Sequence, residues 1–181
     1  PAGGNFEEPV TQATLKVVGA FLGLSRDRAN ARRFPSIHPL DSWSKYKSFV
    51  DAGEIAFSRD MLQRGNDVGQ MMMVVGEEGT SNDDFQLYLK GEFLDSVYLQ
   101  QNSFDRVDAG SSKERQQYVF NMVNRVLKTD FQLDDKEKAR GFFNRLRQLF
   151  IDWNYIAMDS AEFKAQEKAI DTLIKENSGN E

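Results

Sequence analysis

The chain has 181 residues, of which 40% are hydrophobic and 28% charged, with a formal net charge of −5. It contains no cysteine and a single histidine, His38, which excludes a disulfide framework, a thiolate metal site and a typical zinc site. The acidic balance argues against a broad nucleic-acid surface, and no apolar run approaches the roughly 20 residues of a membrane helix.

Residues 1–9 are Gly-rich and Pro-bounded and read as a loop. They carry neither the basic nor the apolar region of a signal peptide. They also lack an initiator Met and read as an internal loop, so the expectation is a piece cut from a longer chain. Residues 11–24, "TQATLKVVGAFLGL", are rich in β-branched and aromatic residues and predict a strand, with a short apolar helix as the competing reading. "SRDRANARRF" is helix-prone, and Pro35 biases Phe34 toward extended backbone and ends it. "PSIHPLDSWSKY" must be mostly looped or extended.

After Tyr46 no proline occurs, and long amphipathic segments follow. Residues 54–75 predict a helix. Thr80, Ser81 and Asn82 offer N-caps for a second helix reaching about residue 101, with Phe85, Leu89, Phe93 and Val97 on one face. Ser111 or Ser112 caps a third, with Tyr118, Met122, Val123, Val126 and Leu127 as its stripe. Asp134 and Asp135 open a fourth, in which Phe142, Leu146, Leu149 and Trp153 follow the rhythm of a buried face. Ser160 begins a last helix to about Lys175, and the tail should fray. The fold class expected is mainly α: a C-terminal helical bundle over residues 47–181, preceded over residues 1–46 by a short strand and loop remnant of an α/β nucleotide-binding domain. The remnant is too short to form a sheet alone, so it either packs on the bundle or has lost partner strands.

Phosphate-binding motifs are absent. "VVGEEG" lacks the Lys and Ser/Thr that contact phosphate and metal. His38 sits between Ile37 and Pro39 and reads as a turn residue rather than as part of a triad. Glu7–Glu8, Glu77–Glu78 and Asp83–Asp84 read as solvated loops or first helical turns. Met71, Met72 and Met73 read as core filler with one side chain turned to solvent. Arg26, Arg28, Arg32 and Arg33 could hold phosphate, but a salt-bridged surface helix is the plainer reading. In "YLQQNSFDRVD", residues 98–108, three adjacent amides sit among aromatics. Gln101 or Asn102 could meet the polar edge of a flat ring while Phe104 supplies an apolar face. Alternatively, the stretch is a helix C-terminus with Asn102 left-handed and Phe104 tucked into the core.

Three stretches together resemble one family. "GGNFEEPVTQATLKVVGAFLGL" is similar to "GGDFSEPVTQNTLRVV" of the catalytic A subunit of V-type and archaeal A-type rotary ATPases, and "ARRFPSIHPLDSWSKY" resembles that family's "RRHFPAINW" segment. "YLQQNSFDRVD" matches its "FLQQNAFD.VD". The likeness covers residues 1 to about 110, and the rest only as a helical C-terminal region. It implies that the chain is the end of the nucleotide domain plus the helical domain. It also implies an adenine pocket walled by Phe6, Phe34 and Ser103–Phe104, with Gln101 as a possible polar contact. By analogy with the F-type beta subunit, the acidic turn with Glu77, Glu78, Asp83 and Asp84 would face the rotor. The implied partners are B subunits in an alternating A3B3 ring and the central rotor stalk, on the cytoplasmic side of a membrane. The implied cofactor is Mg-ATP or Mg-ADP in the full-length subunit, coupling hydrolysis or synthesis to proton or sodium transport.

No catalytic and no metal-ligating residue is expected here, because the P-loop Lys, the metal-binding hydroxyl and the general-base Glu are lacking; the chain alone should not hydrolyse ATP or hold it tightly. Asn5, Glu7, Ser103 and His38–Pro39 depart from the family pattern, but no pocket aromatic is lost. Residues 47–80 match poorly. The rival readings are a free-standing helical interaction module and a non-catalytic B-type subunit.

Overall fold

The computed structural model describes residues 7–179. Within them the chain begins with helix α1, Pro9–Val17, where the sequence favours a strand. Pro9 sits in the first turn with its φ already set for a helix, and the Thr14 hydroxyl donates back to the Val10 carbonyl at 2.8 Å. A lone strand has no neighbour to take its backbone groups, whereas a helix satisfies them internally, and that outweighs β-branching here. The extended part shrinks to β1, Ala20–Phe21, paired antiparallel with β2, Trp43–Ser44. Helix α2, Arg26–Asn30, lies between them and is capped by Ser25.

This N-terminal segment packs on the bundle. Arg59, from helix α3 (Ala52–Val75), donates to the carbonyls of Pro39 at 2.7 Å, Leu40 at 2.6 Å and Ser42 at 3.2 Å. Helix α4, Asn82–Val97, supplies Asp95, which ion-pairs with Arg28 and with Arg33 at 2.5 Å, and Glu92, 2.6 Å from Arg33. Two of the four clustered arginines are therefore spent on internal ion pairs. The Arg33 pKa is raised, first by its hydrogen bond to Glu92.

Helices α3 and α4 form a hairpin, and glycine lets them touch. A Cβ built on Gly65 would lie 3.3 Å from the Gly91 Cα and 3.3 Å from the Leu87 carbonyl oxygen. Backbone cannot yield as a side chain can, so Gly65→Val should destabilise the chain by about 1–3 kcal/mol through overpacking. A denaturation midpoint unchanged from the parent would contradict this crossing.

The remaining bundle is α5 (Arg106–Ala109), α6 (Lys113–Lys128), α7 (Lys136–Asn154) and α8 (Ala161–Asn177). Ser81, Ser112, Asp135 and Ser160 cap α4, α6, α7 and α8 by accepting backbone N–H groups. The short α5 has no counterpart in the periodicity, because a single turn carries no apolar stripe. Phe85, Phe93 and Val97 are buried as their spacing predicts, as are Met122, Val123, Val126 and Leu127. In α7 it is Phe150, not Leu149, that completes the buried face with Phe142, Leu146 and Trp153. Of the three methionines only Met72 packs on the core, while Met71 and Met73 are exposed. No helix among the described residues is long and apolar enough to cross a membrane.

Candidate functional site

Helix α4 stops at Val97, earlier than the sequence suggests, and the chain leaves it as an extended loop whose polar groups are used one by one. The Gln101 backbone N–H donates to the Phe34 carbonyl at 2.7 Å, a direct tie between two stretches far apart in sequence. The Gln101 side-chain amide donates to the Asp108 carbonyl at 2.6 Å, and the Asn102 N–H to the Asp108 carboxylate at 2.6 Å. Asn102 Oδ1 accepts the Phe104 N–H at 3.0 Å, closing an Asx turn. Asp105 Oδ1 then caps α5 through Val107 N–H and Asp108 N–H, both at 2.9 Å.

The capping alternative is thereby corrected. Arg32 is the one non-glycine residue with positive φ among the described residues, so Asn102 is not left-handed. Phe104 is not in the core either: it is 96% exposed. Its backbone is held by the Asx turn while its ring stands in solvent. Phe34 is 51% exposed, and Gln101 and Ser103 are exposed as well. The structure thus brings Phe34 and the 101–104 turn together and leaves both aromatic rings uncovered. Phe6 lies outside the described residues.

Two elements of this site escape a reading of the sequence. Asp108 anchors the turn, and burial pushes its carboxyl pKa up even though the Asn102 N–H pulls the other way. Tyr155, just past α7, offers its hydroxyl to Asn102 Nδ2 at 3.4 Å. The D-x-x-D spacing of Asp105 and Asp108 is the signal that could have pointed to the first; nothing local points to the second.

At the other end of α4 lies the acidic turn. Glu77 is bound to Arg140 of α7 at 2.5 and 2.6 Å, and its carbonyl accepts Lys136 Nζ at 2.5 Å. Asp84 pairs with the Ser81 hydroxyl at 2.7 Å in a capping arrangement. Glu78 and Asp83 are exposed, beside the exposed Met73, Val74 and Val75 at the end of α3. With about 1.5 Å of rise per residue, the 16 residues of α4 set this tip about 24 Å from the Phe34–Phe104 end.

Phe34 and Phe104 offer aromatic faces and Gln101 an amide, groups that can meet the face and the edge of a flat heterocycle. Among the described residues no group of three or more His, Asp or Glu could hold a metal ion, and the sequence has no P-loop for a triphosphate.

Comparison with known proteins bears on the family and the fold. Residues 56–139 match the family described as the C-terminal domain of V and A type ATP synthase. The chain is 57% identical over 178 residues to the V-type ATP synthase alpha chain of Treponema denticola, covering 98% of this chain and 30% of that one. It is 58% identical over 174 residues to the V-type ATP synthase alpha chain of Borreliella burgdorferi, covering 96% and 30% respectively. The chain thus spans 30% of the length of these curated relatives. Its fold is similar to that of an ATP synthase subunit, NeqB, from Nanoarcheaum equitans, with a TM-score of 0.59 over 72% of this chain and 35% of that one, at 16% identity. The chain belongs to the V-type ATP synthase alpha-chain family, corresponds to its C-terminal region, and has the mainly helical fold expected of it.

Proposed function

We propose that this chain supplies one wall of the adenine site of a rotary ATPase catalytic subunit. Phe34 and Phe104 sandwich or flank the base, with Gln101 and Ser103 at its edge and Phe6 as a further aromatic. The observation that carries this reading is the 2.7 Å bond between Gln101 N–H and the Phe34 carbonyl. It fixes two exposed aromatic segments side by side where no core demands them. Exposing a phenylalanine ring forfeits the roughly 1.5–3 kcal/mol that burial would return, so a surface that keeps two of them is suited to a partner.

In the complete subunit the triphosphate and Mg would be held by residues outside this chain, and the chain alone does not hydrolyse ATP. The complete subunit would alternate with B subunits in an A3B3 ring on the cytoplasmic side of the membrane. There it couples ATP hydrolysis or synthesis to proton or sodium transport. Glu78 and Asp83, at the exposed tip of the α3–α4 hairpin, face the central rotor stalk in this reading. Glu77 and Asp84 brace that tip through Arg140 and Ser81.

Removing one stacking ring from a bound base costs about 1–3 kcal/mol. Phe34→Ala in the assembled complex is therefore expected to weaken Mg-ATP affinity by about tenfold or more, read by equilibrium nucleotide binding. Affinity equal to that of the parent complex would sink the pocket assignment.

A further inference from the structure

Both arms of the proposed adenine wall trace back to a single carboxylate. Asp95 is buried on α4, with 7% of its side chain exposed, and its two oxygens serve different cations. Oδ1 takes Arg28 Nη1, while Oδ2 takes Arg33 Nη1 at 2.5 Å. Arg33 immediately precedes Phe34, so its guanidinium pins the first arm to α4. Arg28 extends its other nitrogen, Nη2, to the Leu99 carbonyl at 3.4 Å, two residues before Gln101 on the second arm. The Arg33 backbone N–H donates to the Arg28 carbonyl at 2.8 Å, and Gln101 N–H donates to the Phe34 carbonyl at 2.7 Å, closing the loop between the arms. Glu92, one helical turn before Asp95, takes the rest of the Arg33 fork at 2.6 Å.

We propose that Asp95 is a positioning residue for nucleotide binding: it aims Phe34 and the 101–104 turn at each other through Arg28 and Arg33, and so ties the adenine wall to helix α4. The inference rests on the reading of Phe34 and Phe104 as that wall. The chemistry requires a carboxylate. Two guanidinium groups converge on one residue, and a carboxylate presents each with its own oxygen while its single negative charge, together with that of Glu92, offsets theirs. An amide offers one acceptor oxygen, so one arginine must let go. Burial makes the demand stricter, because a guanidinium released there has little water to turn to. A displacement of α4 therefore reaches both arms at once, and the opposite end of the same helix carries the acidic turn.

The test uses the assembled complex carrying Phe104→Trp as a fluorescent reporter of the wall, titrated with Mg-ATP. Adding Asp95→Asn is expected to raise the nucleotide Kd about tenfold, with KM rising in parallel and kcat changing less than about threefold. Leu173→Ala, in the core on α8, a helix that carries no wall residue, should lower thermal stability while leaving Kd within about twofold, which separates aim from mere stability. Arg28→Lys keeps the charge but cannot span Asp95 and Leu99, so it should shift Kd in the same direction by a smaller factor. This variant provides the test if Asp95→Asn prevents assembly. A Kd within about twofold of the parent in Asp95→Asn or, where that variant does not assemble, in Arg28→Lys overturns the assignment of Asp95, as does an equal shift in Leu173→Ala. If Mg-ATP leaves the reporter's emission unchanged, the adenine-wall reading itself fails and this inference falls with it.

Discussion

Trp153→Ala is expected to lower the stability of the chain by about 3–5 kcal/mol, the range for truncating a large buried aromatic. Trp153 is fully buried, and it is where three helices meet. Its ring stacks on Phe163 of α8 at 4.6 Å between centroids, meets Phe150 edge-on at 5.7 Å, and lies 6.0 Å from Tyr118 of α6. Its indole N–H also donates to the Phe163 carbonyl at 3.0 Å, so truncation removes a buried hydrogen bond as well as leaving a cavity. Against a typical total of about 5–15 kcal/mol, that loss leaves a chain near its unfolding threshold at 37 °C. Chemical denaturation followed by circular dichroism measures it. A loss below about 1 kcal/mol would mean that α6, α7 and α8 do not share this core.

Arg115→Ala is the second substitution expected to act strongly, by about 2–4 kcal/mol, for a different physical reason. The Arg115 side chain is buried, yet among the described residues it forms no ion pair with a carboxylate. Instead its guanidinium gathers the carbonyls of Trp153 at 3.0 Å, Asn154 at 3.0 Å and Ile156 at 2.7 Å. These groups lie at the C-terminal end of α7, where orphan carbonyls and the negative end of the helix dipole favour a cation. Burial pulls the Arg115 pKa down, while Asp108 and Asp105 oppose that. Removing the side chain takes a donor from all three carbonyls, leaving that of Trp153 only backbone N–H partners, and frees the α7 terminus that carries Tyr155. Because Tyr155 touches Asn102, a functional consequence should follow the structural one. Backbone amide exchange in residues 153–156 should accelerate along with the fall in stability. Unchanged exchange there would show that Arg115 is not the cap.

The bundle was legible in the sequence because each of its features is local. Ser81, Ser112, Asp135 and Ser160 announce helix starts, and Phe85, Phe93, Phe142, Leu146 and Trp153 repeat at helical spacing. Residues 11–17 misled because β-branching records a preference for pleated, half-buried surfaces, and the described structure gives this segment no such surface. The residues of the proposed adenine wall could be named only through family likeness. Alone, "YLQQNSFDRVD" reads more readily as a capped helix end than as a binding turn. What removes the capped end is the backbone of Asn102 and the exposure of Phe104, and the bond to Phe34 that supports the proposed binding turn spans a separation in sequence that no local pattern encodes. Asp95 escaped for the same reason: in sequence it is one acid on a helix, and its meaning comes from the two arginines that fold onto it.

Photoaffinity labelling tests most directly whether Phe34 and the 101–104 turn contact adenine. The assembled complex is loaded with 2-azido-ATP and Mg, irradiated, digested and mapped by mass spectrometry. Adenine-linked label is expected on Phe34 or within residues 101–104, suppressed by excess ATP. ATP-suppressible label found only outside these residues, at an occupied catalytic site, would contradict it.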